Sequence, residues 1–241
     1  MHRGLVETLV SGHLLLEGGA EFGGRMSEPD LRALELAGGL EASVCVIPAA
    51  AAPDNNHQRA GRSGLDWFNR LGASSVAVLP LIDRTSANDP EITHALRAAK
   101  LIYLLGGFPG YLAKTLSESQ SWQAAIEAYH HGAVLGGSSA GAMVLCQHLY
   151  DPHKKEIVPG LNLIPDACIL PHHNTFGQHW AARLQELLPE AVLIGIDEET
   201  GLIDDGPRGT WTVYGAGQVT LYQDNSIKTY PAGETVSLPA K

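Results

Sequence analysis

Cysteine is scarce in this chain of 241 residues: Cys45, Cys146 and Cys168 are the three present, and no C-x-x-C spacing joins them. Neither a disulfide framework nor a zinc clip can be built on that set. Long apolar runs are also missing. None approaches the roughly 20 residues that span a bilayer, so no membrane is expected among the partners. The opening Met1-His2-Arg3-Gly4 leads into no apolar segment with a small-residue cleavage site, which makes the cytoplasm the expected location. Positive charge is short as well, with 16 Lys and Arg against 26 Asp and Glu and a formal net charge of -10. Nucleic acid and anionic lipid surfaces are therefore not expected partners. What remains is 44% hydrophobic, with 27 glycines and 14 prolines. That composition excludes extensive disorder and collagen-like repeats, and the length suits a single domain over residues 1–241.

Short apolar runs alternate with longer amphipathic stretches. Strands are predicted at His13–Leu16, Ser43–Ile47, Ser75–Leu81, Leu101–Leu105, Ala133–Leu135, Ala167–Leu170 and Ala191–Ile196. Their runs are continuous rather than alternating, as in strands buried on both faces of a parallel sheet. Helices are predicted near Glu28–Ala37, Gln58–Leu71, Pro90–Ala99, Gln120–His131, Ser139–His148 and Gly177–Leu188. Asp89 is a good cap for the third, with Pro90 in its first turn. The expected fold is α/β: a doubly wound, mostly parallel sheet with helices on both faces. After about residue 200, Gly209–Tyr214, Gln218–Tyr222 and Ser226–Tyr230 read as short antiparallel strands, giving a β-rich C-terminal tail. That tail covers a sheet edge or makes a subunit contact; the sequence does not choose between them.

Ligands in such sheets sit beyond the carboxyl ends of the strands. At one such end Gly137-Ser138-Ser139-Ala140-Gly141 fits G-x-S-x-G, the nucleophile elbow that lifts a serine hydroxyl to the start of a helix. Ser139 is the candidate nucleophile. A serine needs a base, and Pro171-His172-His173-Asn174 follows another predicted strand, so His172 or His173 is placed to take its proton. Gly106-Gly107-Phe108-Pro109 ends a third strand. Its glycines would let a backbone N–H approach an oxyanion, although the same turn could cradle a phosphate or serve as a plain loop.

These segments, in this order, resemble the peptidase E and cyanophycinase family of serine peptidases. The resemblance runs over most of the chain, from Gly18-Gly19-Ala20-Glu21 through the Gly106-Gly107 turn and Ser139-Ala140-Gly141-Ala142. It continues through Gly160-Leu161-Asn162-Leu163-Ile164-Pro165 to Gly195-Ile196-Asp197-Glu198-Glu199-Thr200. It implies a class I glutamine-amidotransferase-like fold and a hydrolase that uses neither metal nor organic cofactor. By the resemblance Ser139 is the nucleophile, His172 the base, and the amides of Gly107 and Ala140 the oxyanion hole. An acid between serine and histidine is implied too: Glu156 is preferred, Asp151 competes, and Glu198 on the next strand end is a third choice. A homodimer is implied by the resemblance alone.

Departures from the family pattern bear on the substrate. Pro109 stands where cyanophycinases carry glutamine, and His172 is followed by His173 instead of Phe and a series of arginines, the first nearby arginine being Arg183. A bidentate clamp for carboxylate is thus missing there. A small peptide or peptide-like substrate other than cyanophycin is expected, with Phe108, Pro109 and His173 beside it and Phe176 and Trp180 forming an apolar rim. The alternative is a catalytically inactive binding protein of the same fold. An α/β-hydrolase esterase fits less well, because no His-Gly-Gly-Gly precedes the elbow and the histidine comes mid-chain. A metal hydrolase on His172, His173 and His179 is disfavoured, since neighbouring residues at a strand end point oppositely.

Overall fold

The computed structural model describes residues 12–207, 209–224 and 226–238. Five parallel strands form the centre of one sheet: β1 (His13–Glu17), β2 (Ser43–Ile47), β3 (Ser75–Val78), β4 (Leu101–Leu104) and β5 (Val134–Ser138). They lie in the order β3-β2-β4-β5-β1, with Leu14 opposite Leu135 and Ile102 opposite Leu135 fixing the register. Each strand sends alternate side chains to opposite faces. Both faces are covered in β1, β2, β4 and β5, while edge strand β3 leaves Ser75 and Ala77 exposed, unlike the fully buried strand expected there. On one side Leu15, Val46, Tyr103 and Val134 meet Leu34 of α1 (Ser27–Leu36) and Phe68 of α2 (His57–Arg70). On the other Leu14, Leu16, Ile102 and Leu135 meet three helices, α3 (Pro90–Ala98), α4 (Pro109–Leu116) and α5 (Gln120–His130). Helix α3 begins as its sequence requires: the Asp89 side chain accepts from the Glu91 and Ile92 amides at 2.8 and 3.3 Å.

The chain after β5 departs from the predicted helix Ser139–His148. Helix α6 (Ala140–Met143) lasts one turn, and the chain then extends into β6 (Cys146–Asp151) and folds back as β7 (Glu156–Pro159). The run from Ala140 to Cys146 is buried throughout, and a uniformly apolar run has no periodicity to separate a helix from a strand. Strand β6 opens a second sheet. It pairs in parallel with β8 (Ile164–Leu170), which pairs in parallel with β9 (Val192–Ile196). Helix α7 (Ala181–Leu187) links β8 and β9, its Leu184 packed on Cys168 and Leu193. The opposite face of that sheet, with Ile169 and Ile194, joins the core of the first.

The C-terminal strands divide between the sheets. β10 (Thr200–Ile203), β11 (Thr210–Gly215) and β14 (Thr235–Ser237) extend the first sheet antiparallel beyond β1. β12 (Gln218–Gln223) and β13 (Ser226–Pro231) extend the second beyond β9. The tail thus covers an edge of each sheet. Among the described residues no helix is long and apolar enough to cross a membrane.

Candidate active site

Strand β5 ends at Ser138, and the next residue turns so sharply that Ser139 takes φ +50° and ψ -112°. That left-handed backbone costs a non-glycine residue roughly 1–3 kcal/mol, a strain typical of functional positions. It is held there because the Ser139 amide donates to the Glu17 carbonyl at 3.0 Å and the Ser139 carbonyl accepts from Met143 at 3.0 Å. The half-buried Ser139 hydroxyl thereby stands between the two sheets.

From the second sheet, β8 brings His172. Its backbone is also left-handed, at φ +50°, and its amide donates to the Gly18 carbonyl at 2.6 Å. The ring lies with Nε2 3.0 Å from Ser139 Oγ. Its other nitrogen, Nδ1, lies 2.8 Å from Glu198 Oε1. Glu198 comes from the loop between β9 and β10, where its own amide donates to Asn174 Oδ1 at 2.9 Å. A carboxylate accepts only, so Nδ1 carries the proton and Nε2 presents its lone pair to the serine. Phe176 stacks on the His172 ring, with centroids 4.8 Å apart and planes 23° apart.

Glu156, the acid the resemblance favoured, is not brought to the imidazole. The hairpin of β6 and β7 sets it opposite Asp151 on an exposed turn, where it pairs with Lys154 at 3.4 Å. Asp151 is buried and turned to local work, accepting from the His153 and Lys154 amides at 3.0 and 3.4 Å. Glu198 takes the position instead. His173 likewise points away from Ser139: it is buried, with Nε2 2.8 Å from the Tyr222 hydroxyl and Nδ1 3.4 Å from Asp197 Oδ1. It ties β8 to β9 and β12 and is not among the walls of the cavity beside Ser139. Phe108 stacks on His153, centroids 4.5 Å apart, while Pro109 does face the serine.

Beside Ser139 and His172 is a cavity of about 340 Å³ walled by Gly107, Pro109, Met143, Pro152, Phe176 and Trp180. Gly107 has φ +138°, and a Cβ there would run into the Ala50 carbonyl, so its exposed amide requires glycine. No acceptor for that amide is found among the described residues. Ala140 opens α6, where the first amides have no intrahelical partner. Neither N–H has an acceptor among the described residues, and both lie beside the serine. Met143, Pro152 and His153 reach the cavity because α6 is short and the β6–β7 turn folds over it. Asp151-Pro152 is a turn signal in the sequence, but nothing local places that turn over the serine.

The cysteines are remote from this chemistry. All three are buried among apolar groups, which pushes the thiol of Cys45 up to about 11 and that of Cys168 up to about 12, and that of Cys146 well above its ordinary value. Beneath the loop after β1 lies a buried acid pair. Glu17 accepts from the Tyr103 hydroxyl and Asp30 accepts from Trp67 Nε1 at 2.7 Å. Burial raises Asp30 to about 7 and Glu17 well above the usual carboxylate range. The remaining oxygens, Glu17 Oε1 and Asp30 Oδ1, have no donor among the described residues; a proton shared between the carboxyls would satisfy both.

Residues 14–209 match the sequence model of Peptidase family S51. A cyanophycinase of Synechococcus elongatus is 30% identical over 94% of this chain and 70% of its own length. A cyanophycinase of Geminocystis herdmanii is 29% identical over 89% of this chain and 81% of its own. Among solved structures, a peptidase from an acI-B1 Actinobacterium superposes with a TM-score of 0.85 at 31% identity, covering 95% of this chain and 97% of that one. A Listeria monocytogenes EGD-e protein named for peptidase E superposes with a TM-score of 0.59 at 20% identity, a likeness of fold alone.

Proposed function

Because the chain belongs to peptidase family S51, we propose that it hydrolyses a peptide-like bond as a serine-type peptidase, through an acyl-enzyme on Ser139. The observation that carries this reading is the hydrogen-bond chain from Ser139 Oγ through His172 to Glu198, with steps of 3.0 and 2.8 Å. In the proposed reaction His172 Nε2 takes the hydroxyl proton as Ser139 Oγ attacks the carbonyl carbon. Glu198 holds the Nδ1–H and stabilises the imidazolium. The amides of Gly107 and Ala140 receive the oxyanion. His172 then gives the proton to the leaving amine, and water, activated by the same imidazole, releases the acid.

Specificity differs in this reading from hydrolysis of cyanophycin. The cavity beside Ser139 is walled by proline, methionine and aromatic side chains with His153 and, among the described residues, by no arginine, which suits an apolar group better than a bidentate-clamped carboxylate.

Intact-mass analysis after exposure to a fluorophosphonate tests the mechanism. A single adduct on the wild type and none on Ser139→Ala is the expected result. No adduct on either protein would sink the mechanism in favour of an inactive binding protein of this fold. An adduct on both would move the nucleophile elsewhere.

A further inference from the structure

Next to Ser139 stands a carboxylate that the proposed reaction does not use. Glu21 lies in the loop after β1 between Ala20 and Phe22, whose backbones are both left-handed at φ +58° and +69°. The Phe22 ring is wedged 6.3 Å from Trp67 and 5.9 Å from Tyr103, centroid to centroid, so the loop is fixed on the core. The hydroxyl of wholly buried Ser138 donates to Glu21 Oε2 at 2.9 Å and anchors the carboxylate. Its second oxygen, Oε1, has no donor among the described residues. Gly106 has no side chain to fill the narrow gap in front of that oxygen. The position a Cβ would take there is 3.3 Å from Glu21 Oε1 and 3.3 Å from Ser139 Cβ. The free carboxylate oxygen and the nucleophile therefore flank the same bare patch of backbone.

The charge of Glu21 is also uncompensated. No ion pair with Lys, Arg or His involves it among the described residues; nearby Arg25 is engaged by Glu28 at 2.6 Å. The groups behind it are Glu17 and Asp30, whose carboxyls are pushed further up by the charge on Glu21. An anchored carboxylate with one unpaired oxygen beside a nucleophile is suited to receive a cation.

We propose that Glu21 is a specificity-determining residue that binds a positively charged group of the substrate, an ammonium or guanidinium, beside Ser139. The proposal rests on Ser139 being the reacting residue. It divides the substrate's recognition between a cationic group at Glu21 and an apolar group in the cavity of Pro109, Met143 and Trp180. An α-amino group and a basic side chain offer the same chemistry, and the test separates them.

The Ser139→Ala protein holds peptides without cleaving them, so recognition is read as Kd by calorimetry. Lysyl-leucine and norleucyl-leucine, each with a free and an acetylated N-terminus, are the probes. Binding about tenfold tighter to the cationic member of a pair is expected, as for a hydrogen bond to a charged group. The lysyl–norleucyl pair reports a side-chain cation, and the free–acetylated pair an α-amino group. In Ser139→Ala/Glu21→Gln the preference disappears; in Ser139→Ala/Glu21→Asp, which keeps the charge, it survives in part. Equal binding of both members of every pair, or a preference that outlasts Glu21→Gln, overturns the proposal. Turnover by the wild type is scored separately. Charge-selective binding without cleavage of any peptide leaves Glu21 a cation receptor but removes the hydrolase reading and with it the residue's place in a reaction, whereas cleavage without charge preference removes this proposal alone.

Discussion

A carboxylate orients an imidazole only from hydrogen-bond distance. Glu198 stands 2.8 Å from His172 Nδ1, whereas Glu156 is spent on an exposed pair with Lys154. Exposed pairs of that kind contribute about 0–1 kcal/mol. Glu198→Gln is therefore expected to lower kcat by about two to four orders of magnitude, because an amide can donate to Nδ1 and hold the wrong tautomer. Glu156→Gln should leave kcat/KM within about twofold. Steady-state kinetics on any cleaved peptide decides it, and equal losses in the two variants would remove Glu198 from the site. The two adjacent histidines separate in the same way. His172→Ala should abolish turnover, while His173→Ala removes the buried contacts to Tyr222 and Asp197 and should act mainly on stability, by about 1–3 kcal/mol in urea unfolding.

Four elements meet at the buried acid pair: Glu17 on β1, Asp30 on α1, Trp67 on α2 and Tyr103 on β4. Both carboxyls have raised pKa values in the folded protein, Asp30 reaching about 7. The folded state therefore binds more protons than the unfolded chain across that range. The stability this pair contributes is full below the unfolded carboxylate pKa of about 4 and is lost as pH rises through about 7. Tm should fall between about pH 5 and pH 8, by about 2–4 °C for each kcal/mol lost. Glu17→Gln replaces the shared proton with a permanent amide donor, and its Tm should be flatter over the same range. A thermal melt series across pH reads both, and parallel curves for the two proteins would refute the shared proton. The pair lies under the loop that carries Glu21, so this clamp also holds the proposed cation receptor in place.

At the scale of the molecule, the site exists because two sheets share a core. Ser139 follows a strand of the first sheet and His172 a strand of the second, and buried residues such as Ile169 and Ile194 join the two. Ile169→Ala opens a cavity in that joint and should cost about 2–5 kcal/mol in urea unfolding. Ile227 on edge strand β13 is 63% exposed, and its replacement by Ala should change stability by no more than about 0.5 kcal/mol. Comparable costs at the two positions would mean that the sheets do not depend on this contact.

The parallel strands, the helix started by Asp89 and Pro90, the serine elbow and the Gly106-Gly107 turn were legible in the sequence because each rests on local chemistry. Backbone conformation, capping and apolar runs act over a few residues, and a one-dimensional pattern retains them. The one-turn length of α6 was not legible, because the buried run from Ala140 to Cys146 presents no period. Nor was the division of the C-terminal strands between two sheets, which depends on which edges β1 and β9 leave unpaired. The acid was the largest loss. The family resemblance favoured Glu156, on the loop between serine and histidine, but β7 carries it away while the chain after β9 returns Glu198 to the imidazole. Local residue chemistry fixed which groups could react; only the docking of the second sheet on the first decided which of them meet, because hydrogen bonds form between atoms near in space, however far apart in the chain.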